Sequence, residues 1–254
     1  MAATIYYDNL NSRTATLTDG TIDNTSVTGP FSSSDALTNE ERANDGGISE
    51  VVSGWAIDDA LQFNFGSGIS PNFCAIYSTV ATSNEIRINR GFHATNLVGI
   101  WNTVSSLSVG WNIAPLTIAS YQYWYINSRD GNLTGISEVF FGEKLAFPVE
   151  PTANIITAHN FGTEEVKALG SNRFYFSKHD NYKIITLKLD HLTSANKTSL
   201  ETFANTVTNR EPFIYSEDDT TGPFHWVRLV KPLQFKTVLP DIYSTQLVLR
   251  ELIG

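Results

Sequence analysis

The side chains most able to hold a metal or relay a proton are five histidines: His93, His159, His179, His191 and His225. No two stand four residues apart, the spacing that sets a pair of imidazoles on one helix face, so no zinc site is expected. Cys74 is the single cysteine and lies among Phe73, Ala75, Ile76 and Tyr77. That setting suits a buried, inert thiol and leaves no partner for a disulfide within one chain. Ser-His-Asp chemistry needs a positioned nucleophile, yet no Gly-x-Ser-x-Gly elbow occurs, and the nearest likeness, Gly66-Ser67-Gly68, reads as a turn.

Paired carboxylates would suit glycoside hydrolysis, and Asp58-Asp59 and Glu217-Asp218-Asp219 are the local clusters. Neighbouring carboxylates on a strand point to opposite faces, and the second cluster falls between two predicted strands, so both read as solvated turns. Asn44-Asp45-Gly46-Gly47 offers oxygen ligands suited to calcium but lacks a complete loop signature, and it too reads as a turn. No phosphate-cradling glycine loop or dinucleotide fingerprint is present, so no cofactor is implied. A catalytic role is not expected.

Tryptophans remain. Trp101 and Trp111 lie beside the loop formers Asn102, Gly110 and Asn112 and are the candidates for stacking on a sugar ring, with core packing as the default reading. Trp124, inside Tyr121-Gln122-Tyr123-Trp124-Tyr125, is expected in the core, as is Trp226.

The elements that must position these residues are mostly strands. Leu61, Phe63 and Phe65 alternate with Gln62 and Asn64; a break at Gly66-Ser67-Gly68 and Pro71 precedes a second strand at Phe73 to Tyr77. Further strands are predicted around Ile86–Ile88, Tyr121–Ile126 and Ile136–Phe141, which together indicate a β-sandwich or jelly roll. Pro148 and Pro151 then interrupt the pattern and set a boundary, giving domains at 1–147 and 148–254. In the second, Ile185, Leu187 and Leu189 form a half-buried strand. A helix follows, with Leu200, Phe203, Ala204 and Val207 on one face and Thr198 and Glu201 placed as a capping box or first-turn polar pair. Strands around Phe213–Tyr215, Phe224–Lys231 and Tyr243–Leu252 complete a small α+β unit with one helix.

The charge is uneven. Of the net −9, all falls on residues 1–150, with 6 Lys and Arg against 15 Asp and Glu; residues 151–254 carry 11 of each. An acidic surface repels phosphate, so direct nucleic-acid binding is disfavoured. No apolar run is long enough to span a membrane as a helix, and Met1–Leu10 lacks the basic and apolar regions of a signal peptide.

Leu61-Gln62-Phe63-Asn64-Phe65-Gly66, Phe73-Cys74-Ala75-Ile76-Tyr77, Trp124-Tyr125-Ile126 and Ile136 to Glu143 resemble strands of the galactose-binding-like (discoidin-type) jelly roll. Across the boundary, Phe141 to Pro148, Leu187 to Leu192 and Glu211 to Tyr215 resemble structural proteins of tailed bacteriophages, in which a jelly roll precedes a tail-tube-like domain. That resemblance implies a distal-tail or baseplate-hub protein. It would be a structural virion protein made in the host cytoplasm, forming a six-fold ring with itself and contacting other tail proteins. The alternative is a carbohydrate-binding module that recognises a host glycan through Trp101 and Trp111.

Overall fold

A computed structural model of the chain describes residues 3–8, 10, 14–22, 31–33, 37–44, 48, 51–95, 97–151, 156–160, 163–167, 174–178, 182–219 and 222–252. It divides into two compact units, one comprising Asp8–Lys144 and the other Met1–Tyr7 with Leu145–Ile253. The sequence sets the boundary at Pro148 and so places residues 1–7, where no strand is predicted, in the sandwich domain. In the structure a strand here, β1 (Thr4–Tyr7), pairs antiparallel with Phe213–Ser216, setting Ile5 opposite Tyr215. Four residues carry too little periodicity to reveal so distant a partner.

The first unit is built from β2 (Thr16–Ile22), β3 (Phe31–Ser33), β4 (Asp59–Ile69), β5 (Phe73–Ser78) and β6 (Ile86–Gly91). β7 (Gly99–Val104), β8 (Gly110–Pro115), β9 (Tyr121–Ser128) and β10 (Ile136–Ala146) follow, the last two residues of β10 belonging to the other unit. One antiparallel sheet runs β3-β2-β4-β9-β6-β7; in the other, β5 lies between β10 and β8. Alternation explains why they stack. Leu61 and Phe63 of β4, Ile86 and Ile88 of β6 and Trp124 and Ile126 of β9 point inward, against Cys74 and Ile76 of β5 and Val139 and Phe141 of β10. The result is a β-sandwich of jelly-roll type, as expected. Cys74 is fully buried, and burial pushes its thiol up.

Gly66-Ser67-Gly68 is not a turn between strands. β4 continues through it to Ile69, with an irregularity in its pairing to β9 between Asn64 and Ile69. Gly66, at φ +72°, takes the left-handed backbone that this bulge needs, and its N–H donates to Asn64 Oδ1 at 2.9 Å. Composition alone cannot tell a glycine-bearing bulge from a turn.

The second unit adds β11 (Ile156–Asn160), β12 (Thr163–Lys167), β13 (Phe174–Lys178) and β14 (Tyr182–Leu192). Then come α1 (Ser194–Val207), β15 (Phe213–Ser216), β16 (Phe224–Leu229), β17 (Phe235–Leu239) and β18 (Ile242–Glu251). Within this unit the sheet order is β11-β14-β18-β16-β15-β1, β17 pairs with β18, and β12 pairs with β13. Helix α1 lays Leu200, Phe203 and Val207 on a core shared with Leu187, Leu189, Leu247 and Leu249. It starts four residues before Thr198, so the expected pair of Thr198 and Glu201 lies beyond the cap and the first turn. Thr193 is the N-cap, its Oγ1 accepting from the Asn196 N–H at 3.3 Å, while Thr198 sits inside the helix and its hydroxyl donates to the Ser194 carbonyl. Glu201 instead lies one turn from Lys197, at 3.6 Å. Among the described residues, no helix is long and apolar enough to cross a membrane.

Candidate functional site

Of the two tryptophans expected to meet a sugar, Trp111 offers no free ring face. It sits on β8 at 7% exposure, in edge-to-face contact with Tyr77 (5.2 Å between centroids) and Phe140 (5.5 Å). The alternation of β8 turns this residue onto a packed sheet face, which nearby glycine and asparagine did not reveal. Trp101 lies on β7, the edge strand of the six-stranded sheet; its side chain is outside the described residues. Trp124 and Trp226 are both buried, as their strand contexts suggested.

The carboxylate clusters are structural. Asp58 has φ +72° at the turn into β4, and Asp59 is buried, its Oδ2 accepting from the Ala56 N–H at 2.6 Å. Asp219 accepts a hydrogen bond from the Tyr6 hydroxyl; burial and this carboxylate together push the Tyr6 phenol up. Asp45, Gly46 and Gly47 of the calcium-like stretch lie outside the described residues, as does His179. His225 places Nδ1 2.8 Å from Glu251 Oε1 within the second unit's sheet. Among the described residues no group of three or more His, Cys, Asp and Glu is arranged to hold a metal ion.

A different set of side chains comes together at the end of β6 and the start of β9. Phe92, just past β6, is 57% exposed, and its ring lies 4.5 Å from that of Tyr121, tilted by 39°. The Arg90 guanidinium stands 4.5 Å from the same Tyr121 ring. Burial draws the Arg90 guanidinium down from its ordinary value, and the Tyr121 hydroxyl opposes this. Tyr121 in turn meets buried Trp124 edge-on at 6.2 Å, so the exposed shelf rests on the sandwich core.

The loop that carries Phe92 is held from below. Gln62 of β4, 3% exposed, donates from Nε2 to the Ala94 carbonyl at 2.8 Å and to the Tyr125 hydroxyl at 3.0 Å. The Tyr125 hydroxyl donates onward to the carbonyls of His93 and Ala94, each at 3.2 Å. Burial pushes the Tyr125 phenol up to about 12, so it keeps its proton and remains a donor. Further back along the loop, the Val98 N–H donates to the Arg90 carbonyl at 2.8 Å. Two buried polar side chains committed to one loop fix where an exposed ring stands. Farther along β9, the Gln122 amide donates to Asn64 Oδ1 at 3.1 Å and to the Tyr123 hydroxyl at 3.2 Å. Sequence reasoning passed over Phe92, because one phenylalanine after a strand is indistinguishable from a core residue until its exposure is known.

No protein-family model matches the chain, and no curated protein matches it. Several solved structures are similar. Chitosan-binding module 1 of a chitosanase/glucanase from Paenibacillus sp. IK-5 is 14% identical, with 54% of this chain and 99% of that one covered and a TM-score of 0.41. CBM32 of AlyQ, solved in complex with 4,5-unsaturated mannuronic acid, is 18% identical over 48% of this chain and 96% of its own, at a TM-score of 0.35. SpGH29 is 7% identical; the match covers 55% of this chain but only 28% of that protein, at a TM-score of 0.41.

Proposed function

We propose that the sandwich unit is a carbohydrate-binding module whose contact surface is the shelf of Phe92, Tyr121 and Arg90. The observation that carries this reading is a 57% exposed phenylalanine, ring against ring with Tyr121, on a loop pinned by buried Gln62 and Tyr125. Leaving such a ring in water forgoes about 1.5–3 kcal/mol of burial, which a ligand that covers it recovers. A sugar matches the surface because it has an apolar C–H face to lie on a ring and hydroxyls around its edge for a guanidinium. The role proposed for this shelf is binding.

The test is a panel of soluble oligosaccharides titrated into the whole protein by calorimetry, with Phe92→Ala alongside. Burying one ring implies that Phe92→Ala weakens the best ligand by about tenfold or more, with the melting temperature unchanged because the side chain is mostly in solvent. If no oligosaccharide binds, or if Phe92→Ala binds as the native protein does, the shelf is not a sugar site.

A second reading, a ring-forming component of a phage tail lying in the virion and contacting neighbouring tail proteins, is favoured by β17. This strand pairs with β18, and among the described residues its other edge pairs with no strand; Val238 and Leu239 on it are 52% and 61% exposed. An open edge with exposed apolar side chains is a ready surface for strand addition. If a second copy adds there, the native protein sediments above the monomer mass and the double change Val238→Lys, Leu239→Lys returns it to monomer. A native protein that stays monomeric at all accessible concentrations removes the support that β17 gives.

A further inference from the structure

The second unit's sheet has two faces of opposite character. Leu187 and Leu189 of β14 and Leu247 and Leu249 of β18 point to the core beneath α1. The residues between them point the other way, where Lys188 stands opposite Gln246 and, on the far side of β18, Lys236 stands opposite Ser244. Lys231, two residues past the end of β16, joins them. Together with Gln234, these side chains line a cavity of about 380 Å³. Such a volume falls within the usual size of small-ligand clefts.

The electrostatics of this cavity run against those of the chain. The protein carries a net charge of −9, yet three lysines line one concavity and, among the described residues, no carboxylate lines it. One of the amines is partly neutralised, with Lys188 Nζ 2.9 Å from Asp190 Oδ2. Lys231 and Lys236 are exposed and converge on the same space. Like charges gathered around a common hollow repel one another, and an anion placed among them is attracted by each. The Gln246 and Gln234 amides and the Ser244 hydroxyl supply neutral donors for the remaining oxygens. An ordinary solvated lysine face would intersperse acids along the lining.

We propose that this cavity is a binding site for a small ligand bearing an oxyanion, a phosphate, sulfate or carboxylate group, with Lys231 and Lys236 as its principal contacts. It is separate from the aromatic shelf and does not depend on the sugar reading of the first unit. The test uses the whole chain, titrated by NMR or calorimetry at low salt with inorganic phosphate, sulfate, glucose 6-phosphate, glucuronate and, as the neutral control, glucose. The anions are expected to bind and glucose not to perturb these residues. Lys231→Gln with Lys236→Gln is expected to weaken the best anion by about tenfold, while Lys231→Arg with Lys236→Arg keeps binding and both pairs keep the native melting temperature. Stronger binding of glucose 6-phosphate than of inorganic phosphate identifies a sugar-borne group as the ligand. Equal binding identifies the free oxyanion. Unchanged affinity in the Gln pair, or an equal response to glucose at these residues, overturns the site.

Discussion

Replacing Trp124 by alanine is expected to cost the sandwich about 3–5 kcal/mol, the range for emptying a fully buried aromatic site. The indole is 0% exposed and spans the gap between the sheets, with its ring 5.4 Å from that of Phe141 on β10. Phe141 is itself packed edge-on by Phe63 at 5.3 Å and Phe65 at 6.1 Å, so the cavity would open at the centre of an aromatic cluster. Large rings that already touch one another edge-on cannot collapse far without leaving their rotamers, which places the loss toward the upper end of the range. The indole N–H also donates to the Tyr121 carbonyl at 3.2 Å, and that bond goes with it. Equilibrium urea unfolding followed by circular dichroism measures the change, and Trp124→Phe should retain more than half of the lost stability. A loss below about 1 kcal/mol would contradict the central position given to this residue. Because Tyr121 rests on the indole, oligosaccharide affinity is expected to fall in Trp124→Ala even below its unfolding midpoint, linking core and shelf.

The core of the sandwich was legible because its strands alternate. Leu61 and Phe63 against Gln62 and Asn64, and Ile86 and Ile88 against Arg87 and Asn89, state which side faces inward with no knowledge of the partner sheet. Two features were not legible, the first because pairing between remote segments leaves no local trace and the second because its strand stays exposed. β1 joins the second unit by pairing with β15 more than 200 residues away, and β17 carries the pattern Phe-Lys-Thr-Val-Leu, four residues of which are exposed. A strand that buries little has little periodicity to show. The start of α1 was missed because four threonines and serines precede the apolar face, and Thr193, Ser194, Thr198 and Ser199 all have cap-forming side chains. Only backbone geometry distinguishes the one in use.

The candidate sites divide along the same line. Tryptophan content drew attention to Trp101 and Trp111, and for Trp111 the neighbouring glycine and asparagine suggested a loop where the chain runs as a strand with its ring packed. Gln62 looked like the solvent-facing residue of an alternating strand. It does face away from the sandwich core, but onto the pinned loop after Phe92 rather than into water. The basic cavity of the second unit was hidden in a charge count of zero for residues 151–254, because counting along the chain averages over faces that the sheet separates. A charge balance per domain limits partners only when the charges are mixed in space.

Phe203→Ala is the companion experiment for the second unit, and the same mechanism makes its expected cost about 3–5 kcal/mol. Phe203 is 0% exposed at the middle of the buried face of α1, between Leu200 and Val207. Its ring meets Tyr7 of β1 at 5.1 Å and Phe213 of β15 at 5.0 Å, both edge-on. These three rings tie the helix to two strands that are adjacent in the sheet yet come from opposite ends of the chain. The helix has little stability of its own to offset their loss. Its exposed face carries Thr198, Ser199, Thr202 and Thr206, each hydroxyl bonding back to the carbonyl one turn earlier, and such residues are poor helix formers. A 14-residue helix of this composition holds its shape by packing. Hydrogen exchange is therefore the sharper readout. In Phe203→Ala the amides of α1 and of β1 should lose protection together, whereas loss confined to α1 would show that β1 is held by its pairing with β15 and not by the aromatic triad.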